Sequence, residues 1–453
     1  MKENRDLEEN ELDALVSKYE EMVYKKAKYY FDVDEFESII DFYFDENNME
    51  AAAKAIEFGL QLHPGASILK LRMAQVKLEN GENEKVKVLL DSIAEQEKLN
   101  YEIHLTYGHL YVNIANYTES VACFEKGLAL YDEDPTEIIA GIAIAYESAE
   151  QYNLGIQFLE MAYNNNATGP SILFDLAFNY ERAGKFEKAA QMYEKLLDES
   201  PFSSNTWYNL GVVYGKTDQW VLAKQAYEYA LAVDANHVLA IYNYAQLLFN
   251  EQNYEEAFNL FHTYIETDES SAEALCYMGE CCEKMGEYGN ALSFFAKSIE
   301  AKPDFADGYI GLGVVYAQTE QLDVAVASFV RAIEIEPESF EFYMLLAQAY
   351  IKQEKYRKAL KTYAKAAQIN PTEIDIWLKH ASLLSAYKSK KAAVKLLENA
   401  LKQIPDSTLL QVIHLAFTSP TQITKAQHEE WQVDERLEII SQYFPDVASI
   451  FKK

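Results

Sequence analysis

Three cysteines, Cys276, Cys281 and Cys282, are the densest cluster of chemically capable side chains in the 453 residues. Cys281 and Cys282 are adjacent, so on a helix they point to different faces. A zinc site needs paired spacings plus further His or Cys ligands, and the neighbouring sequence supplies none. Small apolar packing suits Cys282 better. The histidines His63, His104, His109, His237, His262, His380, His414 and His428 are scattered. His104 and His109 share a helical stretch but lack the i, i+4 spacing of a ligand pair. Neither a glycine-rich phosphate loop nor a nucleophile elbow is present. The abundant carboxylates read as solvated helix faces. These residues predict no catalytic centre, no metal site and no cofactor.

Composition narrows the partners. A formal charge of -32 repels phosphate backbones, so nucleic acid and anionic membrane surfaces are excluded as partners. Basic or apolar protein segments are favoured, in salt-sensitive encounters, although an acid excess also keeps a long open surface soluble. With 49% hydrophobic and 25% charged residues the chain can bury a large core. Its 17 glycines and 10 prolines are few, as long helices joined by short turns require. Residues Met1 to Asn10 lack the apolar stretch of a signal peptide, and no run reaches membrane-spanning length. The four cysteines have no disulfide-framework spacing. The expectation is a soluble, cytoplasmic protein with no membrane insertion.

What must position these side chains is a repeat. From Ala306, Tyr309, Leu312, Gly313 and Tyr316 fall at places 4, 7, 8 and 11, and Ala325, Phe329, Ala332 and Pro337 at places 20, 24, 27 and 32. A shift of 34 residues gives Tyr343, Leu346, Ala347, Tyr350, Ala359, Tyr363, Ala366 and Pro371; another gives Trp377, Ala381, Leu384, Ala393, Leu397, Ala400 and Pro405. Places 4, 7, 8 and 11 form one stripe of a first helix, and 20, 24 and 27 the stripe of a second. Small residues at 8 and 20 let the two helices approach, aromatics at 4, 11 and 24 fill the space around them, and proline at 32 sits in the following turn. One pair cannot bury its apolar faces alone, so neighbours must stack.

This pattern resembles the tetratricopeptide repeat family over nearly the whole chain. The register covers 33–407 as eleven repeats: 33–66, 67–100, 101–135, 136–169, 170–203, 204–237, 238–271, 272–305, 306–339, 340–373 and 374–407. The resemblance implies an all-α fold, a right-handed superhelical α-solenoid. Residues 1–32 carry a charged amphipathic capping helix. Residues 408–453 carry a half-repeat and a capping helix from about Gln422 to Tyr443.

In this family the first helices line a concave face, and ligands bind through places 2, 5, 6, 9 and 12. Chaperone-binding members use a clamp of Lys, Asn and Arg at these places. Here places 2, 5, 9 and 12 carry no Lys or Arg, and place 6 only Arg72 and Lys379, so no clamp forms. Protein O-GlcNAc transferases carry an asparagine ladder at place 6; this chain has Asn209 and Asn243 there, flanked by Asp175 and Tyr277. Around them Phe174, Phe178, Tyr208, Val212, Leu239, Tyr242 and Phe249 make an apolar stretch. Glu273, Glu280 and Glu283 then form an acidic flank, with Cys276 and Glu280 facing the groove. The expected function is a non-catalytic interaction scaffold or adaptor that holds a peptide or helical segment, apolar and with a basic residue, in a groove centred on 170–250. An alternative is an accessory subunit presenting substrates to an enzyme on another chain. The contacts expected of Tyr208 and Tyr242 are with the partner, so alanine at either leaves melting nearly unchanged.

Overall fold

Runs of good helix formers interrupted at fixed intervals by a short polar turn leave the backbone one way to satisfy its amides, the helical hairpin. The computed structural model describes residues 2–25, 29–165, 169–267, 270–418 and 442–444, and among them every regular element is a helix. The chain divides into two units, Met1–Val233 and Asp234–Lys453. The first opens with α1 (Lys2–Lys25), followed by the pairs α2 (Val33–Asp45) and α3 (Met49–Leu62), α4 (Ser67–Glu79) and α5 (Asn83–Asp91), and α6 (Tyr101–Asn113) and α7 (Tyr117–Leu130). It continues with α8 (Thr136–Ser148) and α9 (Tyr152–Asn164), α10 (Pro170–Arg182) and α11 (Phe186–Glu199), and α12 (Ser204–Lys216) and α13 (Trp220–Val233). The second unit contains α14 (Val238–Asn250) and α15 (Tyr254–Ile265), α16 (Ala272–Lys284) and α17 (Tyr288–Ala301), and α18 (Ala306–Gln318) and α19 (Leu322–Ile335). Then come α20 (Phe340–Lys352) and α21 (Tyr356–Ile369), α22 (Ile374–Tyr387) and α23 (Lys390–Gln403), and a single α24 (Thr408–Thr418). No described helix is long and apolar enough to cross a membrane.

Ten of the first helices stop in the same way. Place 15 takes a left-handed conformation in ten successive repeats: glycine at Gly81, Gly184 and Gly286, and a non-glycine at Asn47, Ala115, Glu150, Asp218, Gln252, Glu320 and Glu354. The next amide turns back onto the carbonyl of place 11, as in Lys185 to Tyr180 (2.8 Å) and Gln321 to Tyr316 (2.8 Å). This bond satisfies a carbonyl the helix end would otherwise orphan, and it holds the αL residue in place. The eleventh repeat differs: Lys388 has φ -116° there.

A second recurring bond fastens one repeat to the next. The ring at place 4 donates to the carbonyl of the proline six residues earlier, in Trp207 to Pro201 (2.9 Å), Tyr309 to Pro303 (3.4 Å), Tyr343 to Pro337 (3.2 Å) and Trp377 to Pro371 (2.9 Å). Proline ends the second helix because it has no amide to donate, and its free carbonyl becomes the acceptor.

The ring at place 24 fills the hairpin. Phe124, Tyr193, Phe261, Phe295, Phe329 and Tyr363 are all buried. Where the ring lies flat on place 8, only glycine fits: a Cβ on Gly108, Gly211, Gly279 or Gly313 would come within 2.4–2.7 Å of Phe124, Tyr227, Phe295 or Phe329.

The two ends close on apolar contacts within their own units. Tyr19 of α1 is buried edge-on against Phe31, Phe36 and Tyr43. The helix expected from Gln422 to Tyr443 lies, except for its last two residues, outside the described residues. At that end Phe444 is buried beside Phe417, and the Tyr443 hydroxyl donates to Asp375 at 3.1 Å.

Candidate functional site

The expected groove residues fall into both units. In the first, α10 and α12 carry Phe174, Phe178, Tyr208, Asn209 and Val212, all half-buried. Phe174 packs edge-on to the buried Tyr193 at 6.2 Å, and Tyr208 lies tilted against Tyr227 at 6.2 Å. These rings have one side on the hairpin core and the other open. Asp175, beside them, has its carboxyl pushed up by burial and then by Glu147. Asn179, a turn further on, is buried and spends its amide on the Asp175 carbonyl (2.9 Å).

In the second unit, α14 and α16 present Leu239, Tyr242, Asn243, Phe249 and the three glutamates. Leu239 is 57% exposed. Tyr242 sits in a nest of rings, 4.9 Å from Tyr264, 5.8 Å from Phe261 and 6.4 Å from Tyr277, and burial pushes its hydroxyl up to about 12. Phe249 wedges between Tyr254 and Tyr277, which stacks on Phe261 at 4.9 Å. Tyr242 therefore supports the fold as well as facing outward. Alanine there is expected to remove about 2 kcal/mol, less than a fully enclosed ring would; Tyr208→Ala removes less, and urea melts of the two variants measure the difference.

The three acids have different fates. Glu273 is exposed and lies 3.7 Å from Lys302. Glu283 is taken up by Lys284 (3.0 Å) and by the Gln318 amide. Glu280 lacks such a pairing. Burial first, then the negative charge of Asp307, push its carboxyl up to about 7, only partly offset by Lys284. Asp307, at the second place of α18, is raised by burial and by Glu273. Cys276, 5% exposed, lies next to Glu280; burial pushes its thiol well above the ordinary range and favours the protonated form. No group of His, Cys, Asp and Glu among the described residues could hold a metal ion.

The expectation for 170–250 had no place for Asp307 or for a cluster at the start of the first unit. There Arg72 of α4, with a side chain 13% exposed, bridges three helices: Glu37 and Asp41 of α2 at 3.3 Å each, and Glu102 of α6. Gln75 also donates to Glu102. Beside this network opens a cavity of about 600 Å3, walled by Phe44, Val76 and Leu105 and bearing Glu102, His109 and Asn113. Burial pushes the His109 imidazole down to about 4, so it is neutral. A signal was available in the register: place 6 of one repeat faces places 5 and 9 of the repeat before and place 2 of the repeat after. A base there among acids is a charge network.

Family models match several stretches of the chain. A model of tetratricopeptide repeats matches residues 318–383, a second such model matches 101–134 and 272–305, and one for the cilia and flagella-associated protein 70 middle TPR-like domain matches 173–276. No curated protein sequence matches. Among solved structures, a tetratricopeptide repeat protein from Parabacteroides merdae is 17% identical over 54% of this chain and 97% of its own, with a TM-score of 0.45. The APC/C hetero-tetramer Cut9-Hcn1 gives 12% identity over 84% of this chain and 95% of the other, with a TM-score of 0.41. YrrB, described as a TPR protein with an unusual peptide-binding site, gives 20% identity over 42% and 97%, with a TM-score of 0.34. Repeat models match over 101–134, 173–305 and 318–383, and the described helices follow in pairs of the expected length: the chain is built of tetratricopeptide-type repeats.

Proposed function

We propose that this protein is a non-catalytic interaction scaffold whose first-helix faces hold a segment of a partner protein, with a Lys or Arg of that segment at Glu280 and Asp307. The supporting observation is the unneutralised acid pair beside an aromatic floor of Tyr242, Phe249 and Tyr277. Burial and then Asp307 raise the Glu280 carboxyl, and burial and then Glu273 raise that of Asp307, a poor solution for the protein alone. A cation placed between them would lower both carboxyls again and favour their ionised forms. The rings offer the aliphatic stem of such a side chain an apolar bed.

The sign of the pH dependence follows from the Glu280 shift. Its folded pKa of about 7 lies above the ordinary carboxylate value, so the stability tied to its protonated form is full below the ordinary value and lost as pH rises through about 7. Glu280→Gln should flatten that loss. Binding runs the other way: affinity for a lysine-bearing segment rises with pH across 7, because the carboxylate must be ionised to pair. In affinity capture from the native cell at low and at high salt, Glu280→Gln/Asp307→Asn should weaken the salt-sensitive partners by about tenfold, the effect of losing one well-placed ion pair. Equal retention by wild type and variant at every salt concentration would sink the reading.

A further inference from the structure

The outward side of α13 departs from the other second helices. At place 18 the helices α11, α15, α17, α19, α21 and α23 carry Glu187, Glu255, Gly289, Asp323, Arg357 and Lys391, whereas α13 has Val221, 69% exposed. At place 26 they carry Lys195, Thr263, Lys297, Arg331, Lys365 and Asn399, whereas α13 has Tyr229, 55% exposed. In the turn before α12, place 33 is Phe202, 85% exposed, where later repeats have Asn236, Ser270, Asp304, Glu338, Thr372 and Asp406. From the repeat at 238 onward these three positions are polar or glycine; earlier ones carry at most a single exposed apolar residue each, Phe58 or Met161 at place 26 and Leu99 at place 33, whereas here all three are apolar together.

Tyr229 and the turn that carries Phe202 meet at one indole. Trp207, held by its bond to the Pro201 carbonyl next to Phe202, stacks on Tyr229 at 4.7 Å. Trp207, Leu222 and Tyr229 line a cleft of about 330 Å3 between α11 and α13. Its charged groups are Glu194 and Asp198, with no Lys or Arg. The Tyr214 hydroxyl engages Glu194, and the Asp198 carboxylate makes no hydrogen bond or ion pair among the described residues. An apolar stripe with an acidic rim is a poor surface to leave in water. It also suits a second copy badly, since symmetric pairing would bring two such rims together on chains of charge -32 each.

We propose that the outward face of α13 is a second docking surface, separate from the first-helix faces, for a basic amphipathic segment of a partner protein. Apolar residues of that segment rest on Val221, Leu222 and Tyr229, and a Lys or Arg one helical turn away meets Asp198 and Glu194.

The test uses two labelled synthetic helical peptides with the same Leu and Trp stripe, one carrying Lys and Arg between the apolar residues and the other Glu. Their anisotropy is titrated with the full chain and with Val221→Glu/Tyr229→Lys. That double variant restores the residues standing in α11 at places 18 and 26 and leaves the net charge unchanged, so long-range attraction is the same. The basic peptide should bind wild type about tenfold or more tightly than the double variant, and the acidic peptide should fail. Phe202→Asp, the residue type at Asp304 and Asp406, should show the same loss should the double variant melt early. Adding Val221→Glu/Tyr229→Lys to the Glu280→Gln/Asp307→Asn background should weaken the basic peptide by the same factor as adding it to wild type, which separates this surface from the groove reading. Equal binding to wild type and both α13-face variants overturns the proposal, as does equal binding of the acidic peptide. A concentration-dependent dimer that the double variant abolishes would also overturn it, by showing that a second copy covers the face.

Discussion

Phe295→Ala is expected to remove roughly 3–5 kcal/mol from the second unit, near the top of the range for an aromatic truncation. The ring is 1% exposed and sits at place 24 of α17 between the backbones of two first helices. A Cβ on Gly279 of α16 would lie 2.7 Å from it, and one on Gly311 of α18 would lie 2.2 Å away. Backbone lines the ring on both sides, and two helices fixed by their own hydrogen bonds cannot collapse into the space it leaves. The loss then spreads to the neighbouring repeat, because stacked repeats are stabilised through their shared interfaces. Binding should fall with it, since α16 and α18 carry Glu280 and Asp307 and the ring sets their separation. Urea melts give the stability directly, and a loss below about 1 kcal/mol would show that the helices do close around the gap. Gly311→Ala is the companion measurement: it gains about 1 kcal/mol of helix propensity yet should still destabilise, because the new methyl meets the ring.

Arg72→Ala should lower the stability of the first unit by about 2 kcal/mol at neutral pH. Breaking a buried ion pair costs more than this, but Glu37 and Asp41 are partly exposed and screened by solvent. Without the guanidinium, Glu37, Asp41 and Glu102 repel one another across α2 and α6. Burial already raises the carboxyls of Glu37 and Asp41, while Arg72 lowers them. Removing Arg72 raises them further. The variant's deficit is therefore largest where these acids are ionised and shrinks as pH falls through the carboxylate range. Thermal melts at neutral and acidic pH check this, and a deficit independent of pH would mean that the lost stem packing, not the charge, was responsible. Arg72→Met, which keeps the apolar stem, should retain the pH-dependent part.

Much of this molecule was legible without coordinates. The small residue at place 8, the ring at 24 and the proline at 32 recur with a fixed period. Helix periodicity is local, so a pattern such as Tyr309, Leu312, Gly313, Tyr316 declares one face of one helix by itself. The same register named the face that carries Tyr242, Asn243 and Glu280. The left-handed residue at place 15 was less visible, because Glu150, Asp218 and Glu354 stand where glycine would have announced the turn.

Three features were decided by tertiary structure. Leu239 is open while Tyr242, three residues on, is held among Phe261, Tyr264 and Tyr277; both are apolar at groove places, and only the neighbouring helices separate them. Of three glutamates on one helix, Glu273 and Glu283 find cations and Glu280 finds Asp307 from the next repeat. Arg72, in sequence a solitary base, becomes the centre of three carboxylates. Periodicity tells which residues share a face, because that depends on the pitch of one helix. Burial and charge pairing depend on distances between helices, and those are set only when the repeats stack.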